Sequence, residues 1–335
     1  MTERTVGEMG EIALVERILA RTASGPGHAQ SGAAADGGPP GQATVGPGDD
    51  AAVVSAPDGR VVVTTDMLVM GRHFRRDWSS AEDIGCKAAA ENLADIVAMG
   101  AGATGLVVAL ALPPDTEVAW VDGFLDGLLA EAARAGARLL GGDLVASDSI
   151  TIGVTAFGDL GGRRPVLRSS ARPGDVVAVC GSLGCAAAGL AVLSRGFRSP
   201  RALVDAHRRP RLDYTAGIRA NDAGVHAMMD VSDGLLLDAR RMARASGVDV
   251  DITASVVPVD DVLASTAAAY NLDPLQWVLG GGDDHALLAT FASGQDVPEG
   301  FVVIGSVTAC ESQGPTVTVN GKERDHMAGF EHFRS

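Results

Sequence analysis

The sequence predicts an α/β (α+β) protein that is divided into two domains. The chain has 335 residues, and a domain typically takes about 100–200 residues. In both halves, short apolar runs typical of strands alternate with segments of helical periodicity. A connector rich in Gly and Arg, Gly161–Arg172, separates the two halves. We therefore predict an N-terminal domain over residues 1–160 and a C-terminal domain over residues 161–335.

The first predicted elements are a helix and an insertion. Apolar residues recur at helical spacing over Gly7–Arg21, which indicates an amphipathic helix. The segment that follows, Thr22–Ala43, consists largely of Gly, Ala, Pro and Ser. Such a composition buries little apolar surface, so residues 22–43 are predicted to be a flexible insertion.

The segment Gly46–Phe74 predicts a β-hairpin. Two apolar strands, Ala51–Ser55 and Val61–Thr65, flank the turn sequence Pro57-Asp58-Gly59. Antiparallel pairing would place the start of the first strand beside the end of the second.

This hairpin would bring three carboxylates together, because Asp49 and Asp50 precede its first strand and Asp66 follows its second. Grouped carboxylates repel one another unless a cation lies among them, and hard divalent ions prefer oxygen ligands. A solvated polar hairpin end is the alternative interpretation. Three acids next to the hydroxyls of Thr64 and Thr65 favour a metal site.

A helix with a polar stripe is predicted next. Ser79-Ser80-Ala81-Glu82 has the pattern of a capping box and opens a helix that extends to about Met99. Ala88, Asn92 and Asp95 lie on one face of this helix. Because the flanking residues are small, we expect this face to lie close to a sheet, with Asn92 and Asp95 directed at its edge.

The remaining N-terminal elements complete a ββαβαββ pattern. They are the strand Thr104–Leu112, the helix Glu117–Ala135, and the strands Arg138–Leu140 and Ser149–Phe157. The third of these runs into Gly141-Gly142-Asp143, where two glycines before an acid would let the backbone approach a ligand closely.

The C-terminal domain contains a second acidic turn. The strand His226–Met229 opens into Asp230-Val231-Ser232-Asp233-Gly234, and the helix Leu235–Ala245 follows. Ser232 or Asp233 could cap this helix, whose N-terminus favours negative charge or phosphate. The other predicted elements are Val176–Cys180, Ala186–Leu193, Asp213–Ala220, Val248–Thr253, Asp260–Tyr270, Pro274–Val278, His285–Phe291, Val302–Val307, Thr316–Val319 and a hairpin turn at Asn320-Gly321.

Composition and net charge exclude some classes of function. The 42 acidic and 27 basic residues give a net charge of −15, which argues against nucleic acid, whose phosphates bind basic surfaces. A nucleotide stays compatible, because metal ions held by Asp can bind its phosphates. No membrane span or export signal is expected, since no apolar run approaches about 20 residues and no basic start precedes one. The four cysteines lack disulfide or metal spacing and are interpreted as reduced thiols of a cytoplasmic protein.

The common sequence motifs of nucleotide-binding proteins are absent. The sequence contains no GxxxxGK[ST] motif and no HRD or DFG motif. What recurs is Asp at strand ends and helix starts, in both halves of the chain. The six residues of this type are Asp49, Asp66, Asp95, Asp143, Asp230 and Asp233. Single cases are usually caps or turns, but six beside Gly, Thr or Ser suggest a shared site for several metal ions and phosphates, as phosphoryl transfer requires.

Seven motifs then occur in the order of one known family. They are GDDAAV at Gly48, TTDMLVMGRHF at Thr64, NLADIVAMGA at Asn92, GGD at Gly141, LRSSARPGD at Leu167, MDVSDGLLLD at Met229 and GGDDHALL at Gly281. Together they resemble the thiamine-monophosphate kinases, of the superfamily shared with aminoimidazole ribonucleotide synthetase. The resemblance covers nearly the whole chain outside residues 22–43.

The resemblance implies a two-domain fold like that of aminoimidazole ribonucleotide synthetase, with N-terminal domains that pair in a homodimer. It also implies phosphorylation of thiamine monophosphate to thiamine diphosphate by ATP and Mg²⁺. Residues matched to the metal ligands are Asp49, Thr64, Thr65, Asp66, Asp95, Asp143, Asp230 and Asp233. Catalysis would depend on Asp66, Asp95 and Asp233. Residues matched to ATP contacts are Gly142, Asp143, Arg168 and Ser232, and those matched to substrate contacts are His73, Asp283 and Phe330.

The sequence departs from the family pattern at three positions. Ala94 replaces the Ser of the family's NLSD, Asp283 replaces the Glu of GGED, and Phe330 replaces the Trp of a C-terminal Gly-Trp. Two alternatives therefore stay open: another ATP-using enzyme of the superfamily, or a non-catalytic protein that binds a nucleotide or a thiamine phosphate. His73 taken alone could be a base, a substrate contact or a solvated loop residue.

Overall fold

In the computed structural model, which describes residues 4–24, 43–45, 51–310 and 314–323, the chain divides into two units. The first contains residues 1–96 and 101–162, and the second contains residues 97–100 and 163–335. The predicted acids Asp49 and Asp50, the predicted substrate residue Phe330, and residues 25–42 of the predicted insertion lie outside the described ranges. Within those ranges, no helix is long and apolar enough to cross a membrane.

The first unit contains a four-stranded sheet in the order β3-β6-β4-β5. The elements up to residue 162 are α1 (Val6–Met9), α2 (Glu11–Ser24), β1 (Ala43–Val45), β2 (Val53–Val54), β3 (Val62–Val69), α3 (Ala81–Ala98), β4 (Gly102–Leu112), α4 (Val118–Arg134), β5 (Arg138–Ala146) and β6 (Thr151–Asp159). Strands β4 and β5 are parallel, whereas β6 is antiparallel to both β3 and β4. The single helix predicted over Gly7–Arg21 is interrupted at Gly10, whose φ of 79° ends α1.

The predicted hairpin of residues 51–65 is wrong in its pairing. A turn forms, in which Gly59 N donates to Ala56 O at 2.9 Å, but β2 pairs with β1. Strand β3 pairs instead with β6 over its full eight residues, from Val62 opposite Gly158 to Val69 opposite Thr151. A two-residue strand satisfies few of the backbone groups of β3, and the long ladder with β6 satisfies many more.

Two further predicted features of this unit are present, but their positions differ from the prediction. The capping box of α3 is formed one residue later than predicted: Ser80 Oγ accepts from Asp83 N at 3.1 Å, and Asp83 Oδ2 accepts from Ser80 N at 2.9 Å. The strand predicted to end at Leu140 continues as β5 through Gly141-Gly142-Asp143. Gly142 is required by packing within the sheet, because a Cβ there would lie 2.2 Å from Val108 O.

The second unit contains a six-stranded sheet in the order β12-β9-β11-β7-β10-β8. Its elements are β7 (Asp175–Cys180), α5 (Cys185–Ser194), α6 (Arg201–Arg208), α7 (Ala216–Asp222), β8 (Ala227–Val231), α8 (Leu235–Ser246), β9 (Val248–Ile252), a 3₁₀ turn (Ala254–Val256), α9 (Asp261–Ala269), α10 (Leu275–Gly280), β10 (Ala286–Ala292), β11 (Phe301–Ala309) and β12 (Val317–Val319). Helix α6 was not predicted from the sequence. The predicted α/β architecture is confirmed in both units.

Pairing in this sheet brings the two acidic loops together. Strand β10 is antiparallel to β8, with Ala286 opposite Val231 and Leu287 opposite Asp230. The loop that follows β8 and the loop that precedes β10 therefore meet at one end of the same strand pair. Apolar side chains such as Val177, Leu288 and Ile304 are fully buried within this unit.

Candidate active-site residues

Polar side chains of α3 hold β3 in the first unit. Thr64 Oγ1 donates to Asp95 Oδ2 at 2.6 Å, and the backbone N–H of Asp66 donates to Asn92 Oδ1 at 2.9 Å. Asn92 is fully buried and its amide donates to Ala88 O at 3.0 Å. The prediction that Asn92 and Asp95 face a sheet edge is confirmed. Asp66 itself is exposed, so its carboxylate is accessible to a ligand.

Thr65 lies on the other face of β3, because successive side chains of a strand alternate. Its hydroxyl donates to Val154 O at 2.8 Å and accepts from Thr155 Oγ1 at 3.2 Å. The structure therefore brings Thr64, Asp66 and Asp95 to one face but not the hydroxyl of Thr65. Thr64 and Thr65 were predicted to act together, but the two-residue period of a strand directs neighbouring side chains to opposite faces.

The predicted residues of β5 are remote from β3 within this unit. Gly142 and Asp143 are exposed, and Asp143 lies opposite Ala109 of β4. Three strand spacings separate β5 from β3, which corresponds to about 14 Å. The structure does not bring Asp143 into contact with Asp66 or Asp95 in the first unit.

His73 lies in the turn that follows β3. Its Nδ1 accepts from the backbone N–H of Val69 at 2.9 Å. In the neutral ring this bond assigns the proton to Nε2, which is then a hydrogen-bond donor. The arrangement suits contact with an anion better than the abstraction of a proton.

In the second unit, the loop over residues 280–285 packs against the end of β8 through backbone contacts. Asp283 N donates to Ser232 O at 2.7 Å, and His285 N donates to Val231 O at 3.1 Å. A Cβ on Gly282 would lie 2.3 Å from Ser232 O, so only glycine allows this approach. The Gly-rich sequence thus brings two loop backbones together.

This packing pairs Asp230 with His285. Both side chains are buried, and His285 Nδ1 lies 3.1 Å from Asp230 Oδ2. A histidine that donates to a carboxylate fixes its orientation, as partners of metal ligands commonly do. The role of His285 was missed from the sequence, since only strand pairing reveals it.

Asp233 is held by an ion-pair network rather than by a helix cap. Arg241 lies 2.6 Å from Asp233 Oδ2 and 2.6 Å from Asp238 Oδ1. The predicted cap by Ser232 or Asp233 is wrong: the N-cap of α8 is Gly234, with no side-chain cap, and Asp238 Oδ2 accepts from Asp233 N at 3.0 Å. Burial raises the pKa of Asp238 to about 6, and Arg241 opposes this shift.

Asp283 and His285 both adopt left-handed backbone conformations, with φ of 74° and 55°. This region costs about 1–2 kcal/mol for a residue other than glycine. Asp283 Oδ2 lies 3.6 Å from Nδ1 of His207, at the end of α6. The predicted substrate residue is therefore held in a strained loop next to a histidine.

Asp284, between them, is directed into the protein. Its two carboxylate oxygens accept from Gly184 N at 2.6 Å and Ala186 N at 2.8 Å, so an internal carboxylate occupies the N-terminus of α5. Burial raises the pKa of Asp284 to about 7, against the lowering effect of these two hydrogen bonds.

Arg168 is remote from the acidic loops of its own unit. Its side chain is exposed, and its carbonyl accepts from Ser246 Oγ at 3.0 Å, at the last residue of α8. Ser232 lies before the first residue of this 12-residue helix. About 18 Å of helix therefore separates Ser232 from Ser246, the residue that Arg168 contacts.

Family models match both halves of the chain. The N-terminal domain of AIR synthase related proteins matches residues 48–160, and the C-terminal domain of the same proteins matches residues 172–317. Together these ranges cover most of the chain.

Among curated proteins, the thiamine-monophosphate kinase of Mycobacterium tuberculosis is 45% identical over 331 residues, covering 98% of this chain and 93% of the relative. That of Corynebacterium glutamicum is 40% identical and covers 98% and 95%. Among solved structures, AaThiL complexed with AMPPCP and TMP has a TM-score of 0.77 and 30% identity, covering 99% of this chain and all of that one.

Proposed function

The chain belongs to the thiamine-monophosphate kinase family of AIR synthase related proteins, and on this premise we propose that it phosphorylates thiamine monophosphate with ATP, giving thiamine diphosphate and ADP. Full-length similarity to two named kinases carries this conclusion. The similar structure that holds both AMPPCP, an analogue of ATP, and TMP supports the same pair of substrates.

Mg²⁺ fits the donor set that each unit offers. On β3 and α3, the exposed carboxylate of Asp66 lies on the same face as the hydrogen-bonded oxygens of Thr64 and Asp95. In the second unit, the carboxylate of Asp230 is oriented by His285. Hard oxygen donors of this kind suit Mg²⁺, which when bound neutralises the charge of transferring phosphates.

The full set of proposed ligands is larger. Asp49, Asp143 and Asp233 are further proposed ligands. Thr65 and Asp143 have the least support, because the hydroxyl of Thr65 lies on the other face of β3 and the strand register places Asp143 on that same face, three strands away. The proposed catalytic residues are Asp66 and Asp95 in the first unit and Asp233 in the second, and their oxygens would hold phosphates through bound metal.

The protein's own part in the reaction is binding and orientation. The acceptor is a phosphate whose second pKa is about 6, so it is already ionised near neutral pH and needs no strong base. Proposed ATP contacts are Gly142, Asp143, Arg168 and Ser232. Proposed substrate contacts are the Nε2–H of His73, the carboxylate of Asp283 and the ring of Phe330. Holding both substrates in line makes direct transfer of the γ-phosphate the simplest route.

A homodimer and a cytoplasmic location complete the proposal. Three apolar side chains on the sheet face opposite α3 are more than half exposed, at 61% for Val63, 61% for Met67 and 53% for Val145. An apolar sheet face of this kind is a candidate contact surface, and we propose that it pairs with a second copy. Cys86, Cys180 and Cys185 are buried and form no disulfide, which suits a reducing compartment.

The deciding experiment measures ADP release from MgATP over a panel of small phosphorylated acceptors. Thiamine monophosphate should dominate and unphosphorylated thiamine should be inactive. Turnover of another acceptor, with none of thiamine monophosphate, would favour a different enzyme of the superfamily. Binding of both ligands without ADP release would favour the non-catalytic alternative.

The route of transfer has its own test. Direct transfer needs both substrates bound together, so initial-rate plots should intersect and γ-labelled ATP alone should leave the protein unlabelled. Parallel lines with a labelled protein would replace direct transfer by a covalent route.

A further inference from the structure

The loop that carries Asp283 and His285 is held in an unfavourable backbone conformation. Both residues have positive φ, a region that side-chain-bearing residues rarely adopt without outside support. Backbone hydrogen bonds to Ser232 and Val231 hold the loop on one side. These bonds involve main-chain atoms alone, and the ladder between β10 and β7 brings the end of the loop near the start of α5.

One side chain ties the loop directly to the start of α5 by hydrogen bonds. Asp284 is buried, and each of its two oxygens accepts from a different backbone N–H at the start of that helix, those of Gly184 and Ala186. Close packing surrounds this anchor, since a Cβ on Gly281 would lie 2.7 Å from Cβ of Ala187. Above its pKa of about 7 the Asp284 carboxylate is charged, and charged acceptors at a helix N-terminus bind more strongly than neutral ones.

From this geometry we propose that Asp284 is a positioning residue, which sets the location of the Asp283 carboxylate and of the His285 ring by tying their loop to the N-terminus of α5. The expected effect of Asp284 on catalysis rests on the proposed function, because Asp283 is a proposed substrate contact and His285 orients Asp230, a proposed metal ligand. Asp284 itself is buried, and the contacts of its carboxylate are with the backbone at the start of α5.

The two-oxygen arrangement allows a sharp comparison with another capping aspartate. Asp260 caps α9 with a single oxygen, Oδ1, which accepts from both Val262 N and Leu263 N. In Asp260→Asn that oxygen is retained. In Asp284→Asn one of the two acceptors becomes an NH₂ group that faces a backbone donor, so only the Asp284 anchor should fail.

The test compares Asp284→Asn and Asp284→Glu with wild type, with Asp260→Asn as the matched cap and Asp260→Ala as a control for lost stability. Three quantities are measured: the melting temperature, the KM for thiamine monophosphate at saturating MgATP, and the ring ¹⁵N resonances of His285, identified by their loss in His285→Gln. Asp284→Glu keeps the charge and both acceptors, which preserves folding, but its extra methylene displaces the loop.

We expect both Asp284 variants to raise the KM for thiamine monophosphate about tenfold, since small misplacements at a site are costly, and to shift the His285 resonances. Asp260→Ala should lower the melting temperature with neither change, and Asp260→Asn should resemble wild type. An unchanged KM and unchanged His285 resonances in both Asp284 variants would overturn the proposal and leave Asp284 a structural cap. If wild type itself does not turn over thiamine monophosphate, the proposed function fails, and the His285 resonances alone then decide the positioning role.

Discussion

Replacement of Asn92 by alanine tests how α3 positions Asp66. Asn92 is fully buried, accepts from the backbone N–H of Asp66 at 2.9 Å and donates to Ala88 O at 3.0 Å. Asn92→Ala removes both contacts and leaves a void between α3 and β3. The carbonyl of Ala88 can keep its helical hydrogen bond, so the loss falls mainly on Asp66.

The size of the effect follows from these contacts. The lost hydrogen bond to Asp66 is worth about 1 kcal/mol, and the void adds about 1–2 kcal/mol. The better helix propensity of alanine returns about 0.6 kcal/mol. The free energy of unfolding should therefore fall by about 2 kcal/mol, and kcat should fall because β3 no longer holds Asp66 in one position.

Urea unfolding followed by circular dichroism measures the stability change, and ADP release measures kcat. Glu16→Ala, a change at an exposed position of α2, serves as the control and should stay within about 0.5 kcal/mol of wild type. An Asn92→Ala protein as stable and active as the control would show that the Asn92–Asp66 bond does not position β3.

Three other predictions concern single aspartates. MgATP at about 100 times its Kd should stabilise the protein by about 2.7 kcal/mol, and Asp66→Asn should reduce the accompanying rise in Tm; an equal rise would remove Asp66 from the metal site. Asp283→Glu should preserve activity, whereas Asp283→Ala should raise the KM for thiamine monophosphate more than that for ATP; an unaffected alanine variant would make this acid structural. Burial raises the pKa of Asp284 to about 7 from an ordinary 3.8, so between these values the folded state binds more protons than the unfolded state and stability falls as pH rises. Urea titrations across this window should show a shallower fall for Asp284→Asn, and an unchanged slope would contradict the assignment.

Local sequence patterns determined most of the secondary structure. The strand Thr104–Leu112 and the helix Glu117–Ala135 correspond closely to β4 and α4, because an uninterrupted apolar run and an amphipathic period are each complete within one segment. The ordered motifs also identified the family, which the full-length relatives confirm. The stripe of Asn92 and Asp95 was predictable, since helical periodicity places both on one face.

The tertiary structure alone decided which segments meet. β3 pairs with β6, about 90 residues away, because that ladder satisfies a long strand. Packing of the sheet and α3 also decides that Thr64 contacts Asp95 and that Thr65 contacts Val154. The carboxylate of Asp284 reaches a helix start about 100 residues earlier in the chain. No local pattern encodes such partners, because each contact depends on how distant elements bury their apolar faces and satisfy their backbone groups together.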